Sequence, residues 1–88
     1  MIVLLHLHRK YAEIMEEAGC LADFEKLMDA LDDIHEARDL IDGMVKAWEA
    51  YTILEIIRRR ARKHVPPTIL SNLIADTADI IEATTTPP

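Results

Sequence analysis

The stretch Leu4-Leu5-His6-Leu7-His8-Arg9-Lys10-Tyr11-Ala12-Glu13-Ile14-Met15-Glu16-Glu17-Ala18-Gly19 admits two readings, and the choice between them decides the fold. Its start alternates as a strand would, with Val3, Leu5 and Leu7 on one side and His6 and His8 on the other. Leu4 breaks that alternation. Over a longer window Leu4, Leu7, Tyr11, Ile14, Ala18 and Leu21 recur at spacings of three and four, which is one stripe of a helix. The helical reading prevails, and Gly19 then stands where a helix ends on a residue in left-handed geometry.

The same period runs outward from there. Asp23 has the chemistry of an N-cap for a second helix, whose core stripe is expected to be Phe24, Leu27, Leu31, Ile34 and Ile41. Arg38 falls on that stripe, where a cation must snorkel to the edge or meet a carboxylate from elsewhere. Asp42-Gly43 either ends this helix and caps the next or merely weakens one long helix over residues 23–64. From Met44 onward the apolar positions cover well over half of a helical wheel, as expected of a helix in the middle of a bundle or one covered by another subunit. Pro66-Pro67 ends that segment, and Pro67 suits the first turn of a last helix striped by Ile69, Leu70, Leu73, Ile74, Ile80 and Ile81. The expected architecture is all-α, a small antiparallel bundle of about four helices, with one domain over residues 1–83 and a flexible tail over 84–88.

Half of the 88 residues are apolar. A domain of this length buries only ~60% of the surface its unfolded chain exposes, so its core is marginal unless a second chain covers part of it. The broad apolar arc of the third helix, with Trp48, Tyr51, Ile53 and Ile57, is therefore expected to form a homodimer interface. A net charge of −6 argues against nucleic acid as a partner. The one cysteine, Cys20, excludes an internal disulfide and fits a reducing cytoplasm. The start lacks the basic leader of a signal peptide, and no apolar run approaches the ~20 residues of a membrane span.

Residues 13–42 carry eleven carboxylates and two cations, Lys26 and Arg38. Asp29, Asp32, Glu36 and Asp39 are placed by helical period away from the core stripe, as an acidic face suited to a basic protein surface. The stretch Glu16-Glu17-Ala18-Gly19-Cys20-Leu21-Ala22 followed by Glu36-Ala37-Arg38-Asp39-Leu40 resembles the all-α nucleoside triphosphate pyrophosphatases, which include MazG-type and phosphoribosyl-ATP pyrophosphohydrolases. The last Glu of that superfamily's first motif falls here on Cys20. The resemblance implies that Glu17, Glu36 and Asp39 bind Mg²⁺, which would bridge substrate phosphates and activate water. Because both acidic faces lie opposite apolar stripes, only an interlocked dimer would let them meet.

The remaining polar residues suit structural roles. Arg58–Lys63 complements the C-terminal end of a helix dipole and offers Glu55 partners at helical spacing. His6, His8 and His35 lack further ligands at metal-binding spacing, and Cys20 has no neighbour that would make a thiolate. No residue stands out as catalytic. The sequence thus describes a small acidic interaction module with two expected partners, itself and a basic protein, and needing no cofactor; Mg²⁺ enters only with the pyrophosphohydrolase alternative.

Overall fold

The computed structural model describes residues 2–85, which form four helices: α1 (Ile2–Glu17), α2 (Leu21–His35), α3 (Leu40–Ala61) and α4 (Pro67–Thr85). Among the described residues there is no strand, and the architecture is the expected small all-α bundle. No helix of the described residues is long and apolar enough to cross a membrane.

The first connection is set by Gly19. Its φ of 76° is the left-handed geometry that glycine adopts without a Cβ penalty. The Gly19 N–H donates to the Glu16 carbonyl at 3.0 Å and the Cys20 N–H to the Met15 carbonyl at 2.8 Å, the paired bonds of a Schellman turn. Cys20 and Met15 are both buried beneath it. Because this turn is so tight, α2 starts at once, with Cys20 at its N-cap and no side-chain capping bond. Asp23 is thus not the cap. It lies in the first turn, where a carboxylate favours the helix dipole, and it accepts a 2.8 Å ion pair from Arg60 at the far end of α3. That contact joins the start of α2 to the end of α3, so the two helices run antiparallel.

The long-helix alternative over residues 23–64 is overturned by the second connection. Asp39 sits in extended geometry at the N-cap of α3, and its carboxylate accepts the Asp42 N–H at 2.8 Å. The Asp42 carboxylate reaches back to the Arg38 N–H at 3.4 Å, a reciprocal arrangement of the capping-box kind. The break therefore falls at residues 36–39, ahead of Asp42-Gly43, and Gly43 is buried within the first turns of α3. Two expectations fail with it. Arg38 lies in the connection, exposed, and Ile41 is 75% exposed, because the helical register that placed both on the core stripe ends at His35.

Phe24, Leu27, Met15, Ile57 and Leu73 are fully or almost fully buried and form the centre of the core. The α1–α4 seam is fastened by Asp76, which accepts from the Tyr11 hydroxyl at 2.6 Å and from Lys10 Nζ at 2.8 Å. These bonds, the one to Lys10 foremost, hold the Asp76 carboxyl below its ordinary range, while burial first and Asp76 second push the Tyr11 phenol up. Pro67 opens α4 as expected. Thr84 and Thr85, expected in a tail, are helical and donate to the carbonyls of Ile80 and Ile81; the tail residues 86–88 lie outside the described residues.

Candidate interaction surface

Helix α3 is apolar on two opposite sides. Gly43, Ala50, Leu54, Ile57 and Ala61 face the bundle and are buried. At ~100° per residue, Ile41, Met44, Val45 and Trp48 fall across the wheel from them. Seven of the ten exposed large apolar side chains among the described residues belong to α3, which makes this a patch and not a scatter. Trp48 is 77% exposed and stands at its middle. One shallow groove beside it is lined by Ile41, Met44, Val45 and Glu49, and a second by Tyr51, Thr52, Ile56 and Arg59, with Trp48 as their common wall.

Trp48 and Tyr51, expected with Ile53 and Ile57 at a homodimer interface, are both exposed. Ile57 is 0% exposed and offers no surface to a second chain, and Ile53 is partly buried against the core. The reason is rotational: Ile57 lies in line with Ala50 and Leu54 on the inward side. Leu40 and Ile41 were missed, because they belong to the outward patch only if a new helix begins at Asp39. The Asp39-x-x-Asp42 spacing was the available signal.

The charged border of the patch is polarised along the helix. Its N-terminal end carries Glu36, Asp39 and Asp42. Its C-terminal end carries Arg58 and Arg59, both bonded to Glu55 at 2.6–3.0 Å, followed by exposed Arg62 and Lys63. The bond to Arg58 draws the Glu55 carboxyl down to about 2, with Arg59 adding to the shift. Arg60 is absorbed by Asp23.

The expected acidic face does not lie on one helix. Asp29 and Asp32 are exposed on α2 and border a groove of about 480 Å³ with Ile2, Leu5, His8 and Met28. Glu36 is the C-cap of α2, and Asp39 is spent on the N-cap of α3.

The carboxylates that the pyrophosphatase resemblance implies do not fit a shared Mg²⁺ within one chain. Glu17 ends α1 beside the start of α2, whereas Glu36 sits at the other end of α2, roughly 20 Å away at ~1.5 Å per residue. Asp39 already accepts the Asp42 N–H. Cys20, at the position of the missing Glu, is buried, and burial raises its thiol pKa and disfavours a thiolate. Among the described residues no three His, Cys, Asp or Glu side chains are grouped to hold a metal ion. No family model, curated protein or solved structure matches the chain.

Proposed function

We propose that the chain is a protein–protein interaction module of the inhibitor or adaptor kind. It pairs with a second copy through the outward side of α3 and meets a basic protein surface with the exposed α2 carboxylates Asp29 and Asp32. The observation that carries this reading is Trp48, 77% exposed at the centre of a contiguous apolar patch. A large aromatic ring in water among aliphatic neighbours is what an interface hot spot looks like in the unbound chain. The acidic side is supported by charge: Asp29 and Asp32 are exposed, and a basic partner would be steered toward them in a salt-dependent way.

Trp48 is the only tryptophan, so its fluorescence reports the patch without interference. Its emission should move to shorter wavelength as the protein is concentrated from nanomolar to high micromolar. A spectrum that is the same at every concentration contradicts pairing through this side. For the acidic side, reversing Asp29 and Asp32 to Lys should abolish salt-sensitive binding of a Lys/Arg-rich helical peptide; Glu36 is left in place because it flanks the pairing side, and Asp39 because it caps α3. Hydrolysis of nucleotides would need two copies to bring Glu17 near Glu36. Mg²⁺-dependent pyrophosphate release from a nucleotide panel is the assay that would favour it over the interaction reading.

A further inference from the structure

We infer that two copies pair antiparallel through α3 about a two-fold axis at Trp48, an arrangement that rests on the self-association proposed above. The exposed apolar side chains of α3 run from Leu40 to Ile56, and Trp48 is the midpoint of that run. A self-complementary pairing puts each patch on its own copy, and two orientations of the helices achieve this. In the parallel one, Arg59 and Lys63 lie beside their own copies, as do Asp39 and Asp42, so like charges meet at both ends. In the antiparallel one, each residue faces the position equally far beyond Trp48. Val45 then opposes Tyr51 and Met44 opposes Thr52.

Arg59, eleven residues past Trp48, lies just beyond the start of the partner copy's α3, where Glu36, Arg38, Asp39 and Asp42 together make a net negative end. The basic end of each α3 thus meets the acidic connection of the other. The helix dipoles are opposed favourably as well. Glu55 is the one carboxylate at the basic end of α3, and it is neutralised within its own chain by Arg58 and Arg59. It therefore does not offset that complementarity. Charge is what selects the orientation, because the apolar overlap is similar in both.

The test is the distance between paired spin labels, read by pulsed electron resonance on the full chain with Cys20→Ala as background. Labels are attached singly at Leu40→Cys and at Glu49→Cys, both exposed positions that leave the basic end of α3 intact. Antiparallel pairing predicts a separation of about 24 Å along the axis for the label at 40, from twice eight residues at ~1.5 Å each, and a short separation for the label at 49. Parallel pairing predicts short separations at both, near the ~8–10 Å between packed helix axes plus the label arms. That result would overturn the antiparallel arrangement while leaving self-association intact. Absence of any dipolar signal at high micromolar concentration would overturn both, and would leave the outward side of α3 to a different protein. Helical circular dichroism of each labelled variant confirms that the bundle is intact.

Discussion

Along α3, Ala50, Leu54 and Ile57 are sealed against α2 and α4, whereas Ile41, Met44 and Trp48 across the same helix stand in solvent. The side chains are of the same chemical kind. What differs is which cost each side escapes when it is covered. The inward side is covered by the chain's own folding, so its contribution to stability is independent of concentration. The outward side is covered only by association, and its contribution appears only when a partner is present. Composition reports the sum of the two sides, and only their rotation about the helix axis separates them.

The largest effect should come from the inward side. Ile57→Ala empties a fully buried site and should cost ~2–5 kcal/mol in urea unfolding, by the same amount at low and high protein concentration. A loss below ~1 kcal/mol would mean that Ile57 belongs with the outward side after all. Trp48→Ala should leave dilute-protein stability within ~0.5 kcal/mol, as a surface change does, while weakening the dimer by ~2 kcal/mol or more. Equal unfolding midpoints paired with unequal dissociation constants would be the signature.

Smaller effects belong to the α1–α4 seam, which gives the comparison a polar reference. Asp76→Ala leaves the buried Tyr11 hydroxyl without its acceptor and should cost about 1 kcal/mol near neutral pH, the exposed Lys10 pair adding little. Because the Asp76 pKa is lowered in the folded chain, its contribution is complete above the ordinary carboxylate value of ~3.9. It fades as pH falls through the depressed folded value. Wild type and variant should therefore converge on acidification; parallel pH curves would show that the carboxylate is not the source. Thr77 is buried on α4 with its hydroxyl unpartnered. Thr77→Val should raise stability by about 1 kcal/mol, ~4–8 °C in Tm for a domain of this size. A drop in Tm would point to a hydrogen bond that the folded chain makes at that hydroxyl.

The helical class was legible from residues 4–21 because a stripe such as Leu4, Leu7 and Tyr11 is local information. The turn at Gly19 was legible for the same reason, as a left-handed position that glycine fills. Asp23 misled because an Asp ahead of an apolar run is a frequent cap, and the Schellman turn at Gly19-Cys20 started α2 three residues earlier. The α2–α3 break was obscured by Gly43, which draws attention as a breaker yet sits helical and buried one turn inside α3. That one shift carried Ile41 and Arg38 off the core and split the acidic face between a helix, a C-cap and an N-cap. The Tyr11–Asp76 contact spans 65 residues and had only a faint local cue, a tyrosine on a core stripe whose hydroxyl needs a partner.

The outward side of α3 as a self-association surface is tested most directly by sedimentation equilibrium of the unmodified chain from low to high micromolar concentration. The expected result is a mass rising from 10.0 kDa toward twice that value, and a return to 10.0 kDa at the same concentrations for Trp48→Ala. A wild-type mass that stays at 10.0 kDa throughout, or a Trp48→Ala variant that dimerises as well as wild type, would contradict it.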